Sequence, residues 1–149
     1  LCRDVGGEVL VLGSPQQRNL LPGVSMDEAM KYAADVLRGA VPVLEEMKVV
    51  LAIEPLGPAE GDFLNEAADG VKLMGMVDSP QCRLHLDCKA MSSEPQPIPD
   101  VIRANAAHMQ HFHANDANKL GLRADFCCSE GGRLPRLGFG RGVRLHTRH

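Results

Sequence analysis

Five side chains in this 149-residue chain are of the types that do chemistry, and their spacing sets them at equivalent places. Glu54 follows the β-branched run Val49-Val50-Leu51-Ala52-Ile53. Asp87 closes Cys82-Arg83-Leu84-His85-Leu86, and His113 closes Met109-Gln110-His111-Phe112. Each run reads as a buried strand, so two carboxylates and an imidazole fall at three successive strand ends. Such a set suits a divalent cation: Mn²⁺, Mg²⁺, Co²⁺ or Zn²⁺. His85 stands two residues before Asp87 and His111 two before His113, which in a strand places each pair on one face. Burying that much polarity is costly unless it is paired, and a metal would offset the cost. Each residue alone has a plainer explanation. An acid at a strand end is often the N-cap of the next helix, a histidine there is often a satisfied core residue, and Glu54 ahead of Pro55 could be a solvated loop residue. Repetition at three strands favours a site.

The elements that must position these residues alternate along the chain. Glu8–Gly13 is a short apolar run closed by glycine and reads as a first strand. Ser25-Met26-Asp27-Glu28 is a capping box. The helix it opens carries Met30, Ala33, Ala34, Leu37 and Val41 on one face, with Pro42 expected to kink it or begin a new turn. A second helix is expected over 63–77, with Leu64, Ala67, Ala68, Val71 and Met74 in its stripe, and a short third over about 100–107. This β-α-β-α-β-α-β series implies a parallel sheet with helical crossovers, either doubly wound or part of a (β/α)8 barrel. Gly13-Ser14-Pro15-Gln16-Gln17 is neither G-x-G-x-x-G nor a P-loop, so a nucleotide-binding open sheet loses ground. In a barrel, the C-terminal strand ends form the rim where active sites are built.

Composition narrows the classes further. A net charge of −3 and five aromatic residues, none of them Trp, argue against a general grip on nucleic acid and a stacking platform. No apolar run approaches the roughly 20 residues that span a bilayer, and Leu1-Cys2-Arg3-Asp4 has no signal-peptide character. Five cysteines (2, 82, 88, 127 and 128) without a C-x-x-C pair fit buried thiols in a reducing cytosol, so a cytoplasmic chain without membrane or nucleic-acid partners is expected. The charge is unevenly spread. Residues 120–149 hold six Arg, no Lys and two acids, a net +4, against −7 for the preceding 119.

The segments Leu51-Ala52-Ile53-Glu54-Pro55-Leu56, His85-Leu86-Asp87 and His111-Phe112-His113-Ala114-Asn115-Asp116 resemble the sugar-phosphate isomerase/epimerase superfamily with a xylose-isomerase-like TIM barrel. Ketose 3-epimerases and hydroxypyruvate isomerases belong to that group. Asp62-Phe63-Leu64-Asn65 fits it too, as do the separations of 33 residues from Glu54 to Asp87 and 26 from Asp87 to His113. The likeness runs over about residues 5–121. It implies an α/β fold, a partial (β/α)8 TIM barrel of about four βα units with parallel strands. It implies that Glu54, Asp87 and His113 hold a divalent metal, and that the metal grips two adjacent oxygens of a small sugar or sugar phosphate. Glu54 would double as the general base that removes a proton next to the carbonyl. Glu60 matches a sugar-binding position, Lys119 falls where many members place a substrate-touching Arg, and His85 and His111 are further candidate substrate-binding residues. Ala90 stands where many epimerases carry a histidine, with Lys89 beside it as a stand-in. The family's fourth ligand, a Glu ending the eighth strand, has no counterpart after Gly121.

A (β/α)8 barrel typically takes about 250 residues, so the expectation is a fragment: a partial barrel over 1–121, and an Arg- and Gly-rich tail over 122–149 read from a shifted frame or otherwise foreign to the fold. Self-association into a homo-oligomer is expected from open sheet edges at Glu8–Gly13 and His111–His113. The alternatives are a non-catalytic fragment, an inosose dehydratase, or an endonuclease-IV-like phosphodiesterase. The last would need more histidine ligands and a basic groove, which the acidic body disfavours.

Overall fold

The computed structural model describes residues 1–115 and 144–147. Within them, strands β1 (Val9–Leu12), β2 (Val50–Ile53), β3 (Cys82–Asp87), β4 (Met109–Ala114) and β5 (Arg144–Thr147) form one sheet in that order. Every neighbouring pair is parallel. Helices α1 (Met26–Met47), α2 (Ala67–Val77), α3 (Cys88–Met91) and α4 (Ile98–Asn105) make the crossovers. A doubly wound sheet reverses its strand order at a switch point; here the order runs straight on, as around a barrel wall. The described residues form a half-barrel, one of the two architectures that the alternation allowed and the one that the resemblance implied. No helix among the described residues is long and apolar enough to cross a membrane.

The apolar core lies between sheet and helices. Met30, Ala34 and Leu37 of α1, Leu73, Met74 and Val77 of α2, and Val101 and Ile102 of α4 pack with Ile53, Leu84, Leu86 and Phe112. Cys82 and Cys88 are buried there as small apolar groups, and burial pushes the Cys82 thiol up to about 11.

Helix α1 begins as its capping box dictates: the Ser25 hydroxyl accepts from the Glu28 amide, and the Glu28 carboxylate accepts from the Ser25 amide. Pro42 neither ends nor restarts it. The helix runs on to Met47 and stops at Lys48 in the left-handed conformation (φ 53°), because the buried Leu44 one half-turn later holds the last turns against the core.

Helix α2 starts at Ala67 rather than near residue 63. Leu64 has a positive φ of 60°, which no helix tolerates, and the Asn65 amide donates to the carbonyls of Leu56 and Gly61. The Asp69 carboxylate accepts from the Asn65 and Glu66 amides, and Glu94 reaches across to accept from Ala67. Phe63 and Leu64 are buried, but as loop residues. The stripe is rotated accordingly: Gly70 and Leu73 face the core, and Ala68 is exposed.

Two elements were not foreseen. Helix α3 follows β3 directly, with Asp87 as its N-cap. Strand β5 lies beside β4, so β4 is not a sheet edge. Apart from β5, the tail beyond residue 121 lies outside the described residues.

Candidate metal and active centre

Strands β2, β3 and β4 end side by side, and the side chains at those ends converge. The alignment of β3 with β4 depends on a slip in register. Leu84 sits opposite Met109, but His85 sits opposite His111 and Asp87 opposite His113. A one-residue slip in a sheet changes which face each later residue joins. Here it leaves Leu84 and Met109 together in the core and brings His85 to His111 and Asp87 to His113 at the rim.

The result is a compact polar cluster. One donor atom from each of Glu54, His85, Asp87 and His113 lies within 4.8 Å of the others. His113 Nδ1 is 3.4 Å from Asp87 Oδ2 and 4.0 Å from Glu54 Oε1. His85 Nε2 is 3.3 Å from Glu54 Oε1. The rings of His85, His111 and His113 touch pairwise, with centroids 4.2–5.0 Å apart. His85 and His111 also share a 2.9 Å contact between their Nδ1 atoms. Burial is the main reason the His113 imidazole titrates below its ordinary range, and the neighbouring His85 adds to it; Glu54 and Asp87 oppose the shift. A neutral imidazole has the lone pair a metal needs.

The carboxylates are held from behind. Asp87 Oδ1 accepts from the Ala90 amide at 3.1 Å, so the plain N-cap role is real, and Oδ2 accepts from Asn115 Nδ2 at 2.7 Å. Asn115 Oδ1 in turn accepts from the Lys89 amide. Around Glu54, the Arg18 guanidinium donates to the main-chain carbonyls of Leu12 (3.2 Å) and Glu54 (2.7 Å), tying the ends of β1 and β2 together. Burial lowers the Arg18 pKa, with Glu54 and Glu60 opposing. Gly13 ends β1 against the Glu54 side chain, and a Cβ there would overlap Glu54 Oε2.

A cavity of about 290 Å³ opens in front of the cluster, lined by Glu54, Glu60, Asp87, Lys89, His113 and Asn115 among others. Lys89 Nζ bonds Glu60 Oε1 at 2.8 Å on the cavity wall, and this contact raises the Lys89 pKa. Ala90 also lines it, so the histidine expected there is absent and Lys89 supplies the nearby polar group.

The donor set suits a divalent metal: two carboxylates and two imidazoles at one point, with His85 Nε2 fully buried and without a hydrogen bond. Glu54, His85, Asp87, His111 and His113 are thus brought together, and Glu60 joins them at the wall. Lys119 lies outside the described residues. Arg18, Gly13 and Asn115 were not singled out for these roles from the sequence. Asn115 stood within a quoted motif; nothing local marks Arg18, which acts only through the fold.

A family model described as xylose isomerase-like TIM barrel matches residues 1–143. A probable ketose 3-epimerase of Synechocystis sp. is 33% identical over 102 residues, which is 68% of this chain and 32% of that protein. The D-psicose 3-epimerase of Agrobacterium fabrum is 30% identical over 96 residues, 63% of this chain and 33% of that one. The chain therefore spans about a third of the length of these relatives. Among solved structures, the D-psicose 3-epimerase of Clostridium cellulolyticum with D-tagatose superposes with a TM-score of 0.74 at 19% identity, covering 98% of this chain and 52% of that one.

Proposed function

This chain belongs to the xylose isomerase-like TIM barrel family, and from that premise we propose that it carries the metal- and base-bearing part of a sugar epimerase or isomerase. The observation that carries the reading is the convergence of Glu54, Asp87 and His113 from three parallel strand ends beside a cavity of sugar size. These three residues would hold a divalent metal. When bound, the metal supplies positive charge beside a ketose carbonyl and its neighbouring hydroxyl, which acidifies the C–H between them. Each ~1.4 kcal/mol of such stabilisation in the transition state is about tenfold in rate. The Glu54 carboxylate takes the proton, held in place by Gly13 behind it and by Arg18 at its main-chain carbonyl. Glu60 and Lys89 offer an acceptor and a donor to sugar hydroxyls from the cavity wall, with Lys119 as a further substrate contact. His85 and His111 back the site from the buried side. A cytoplasmic setting is part of the proposal, supported by the free, buried thiol of Cys82.

Two measurements test this. Calorimetric titration of the chain with Mn²⁺ should show one site that Asp87→Ala loses; equal binding by both would overturn the metal reading. The full gene product, incubated with ketoses in D₂O, should place deuterium on the carbon beside the carbonyl. Exchange that survives Glu54→Gln at the original rate would overturn Glu54 as the base.

A further inference from the structure

His85 is the most deeply buried member of the cluster, and the function proposed above leaves its Nε2 without a task. The side chain is 0% exposed. Its two nitrogens face different partners. Nδ1 lies 2.9 Å from His111 Nδ1, a distance that requires one proton between the two nitrogens. Nε2 lies 3.3 Å from Glu54 Oε1 yet makes no hydrogen bond. In the tautomer that keeps the shared proton on His85 Nδ1, Nε2 would present a lone pair beside a carboxylate oxygen. Two acceptors in contact repel each other, and a cation between them removes the repulsion.

We infer that His85 is a metal ligand through Nε2, making the centre a four-donor set of Glu54, His85, Asp87 and His113. The distances suit it. The Glu54–His85 and Asp87–His113 contacts are 3.3 and 3.4 Å, Glu54–His113 is 4.0 Å, and all four donors lie within 4.8 Å of one another, close enough to share one cation with a side open to the cavity. A ligating histidine usually donates its other ring N–H to a fixed acceptor, which sets its tautomer; His111 Nδ1, at 2.9 Å, is placed to be that acceptor. Two imidazoles and two carboxylates favour Zn²⁺ over Mg²⁺, which prefers six oxygens.

The inference rests on the proposed metal centre, and the experiment separates the two. The chain, labelled with ¹⁵N-histidine, is loaded with ¹¹³Cd²⁺ and read by NMR for nitrogen–cadmium coupling. Two coupled nitrogens, His113 Nδ1 and His85 Nε2, are expected. One coupled nitrogen, from His113, would overturn the role of His85 and leave the centre standing. No coupling would overturn both. In parallel, Zn²⁺ affinity is measured by chelator competition. His85→Asn keeps an N–H where Nδ1 stands and deletes Nε2, so affinity should fall by at least about a hundredfold, beyond the 10–100-fold typical of an outer partner. His85→Gln, whose amide oxygen reaches the Nε2 position, should recover part of the loss. Undiminished Zn²⁺ affinity in folded His85→Asn would overturn the assignment.

Discussion

The Glu54 carboxylate is placed by something missing. Gly13 has no side chain, and the carboxylate occupies the space a Cβ would take. Gly13→Ala should therefore push Glu54 off its position while leaving the apolar core untouched. Mn²⁺ affinity should fall at least tenfold, about 1.4 kcal/mol, with urea stability nearly unchanged; unchanged affinity would refute the role. His113 gives a second expectation. Its folded pKa lies below the ordinary 6.5 because burial disfavours the imidazolium. As pH falls through that value, the unfolded chain binds the proton first, so the metal-free protein loses stability until the depressed folded pKa is passed. In chelator, His113→Asn should flatten the fall in urea midpoint below pH 6.5; an identical slope in both proteins would count against it. At this scale the sequence was informative about donors and nearly silent about their supports. Glu54, Asp87 and His113 announced themselves by type and strand-end position. Gly13 and Arg18 act across strands, and no local pattern encodes which glycine a carboxylate will lean on.

Local signals located most elements, and tertiary contacts moved their ends. The capping box at Ser25 and Glu28 fixed the start of α1, because both hydrogen bonds are made within four residues. The start of α2 was misplaced because the apolar Phe63 and Leu64 continue a helical stripe, while the positive φ at Leu64 and the Asn65 bonds to Leu56 and Gly61 belong to the loop around the cavity. The slip between β3 and β4 was equally hidden, although it decides that His85 meets His111. Gly70 shows how tightly α2 lies on the sheet: a Cβ there would stand 2.6 Å from Leu84 Cδ1 and 3.3 Å from Pro55 Cγ. Leu84 is 0% exposed and has nowhere to swing. Gly70→Ala gains about 1 kcal/mol of helix propensity but incurs an overpacking cost of ~1–3 kcal/mol. A net loss of stability in urea is expected. A more stable variant would show that the helix can lift off Leu84 freely.

Across the whole molecule, the alternation of strands and helices was legible because β1 to β4 read as short apolar runs, as strands of parallel sheets do. Strand β5 was not. Arg144-Leu145-His146-Thr147 has no such run, and only its pairing with β4 makes it a strand. That pairing moves one edge of the described sheet from β4 to β5 and leaves β1 as the other. Among the described residues β1 pairs with β2 alone, and Leu10 and Val11 are 41% and 38% exposed. Tyr32, Val36 and Val43 of α1 are also exposed. A strand edge with unpaired main-chain groups and apolar side chains is a template for another chain, since pairing satisfies the hydrogen bonds and removes apolar surface together. Natural sheets block this with lysine on the edge strand. The isolated chain should therefore sediment as a concentration-dependent mixture of monomer and larger species. Val11→Lys should shift that mixture towards monomer without lowering Mn²⁺ affinity, because Val11 is not among the residues that line the cavity in front of Glu54, Asp87 and His113. Sedimentation as a monomer at every concentration would mean that β1 is already protected. An unchanged mixture in the Val11→Lys variant would place the contact elsewhere on the surface.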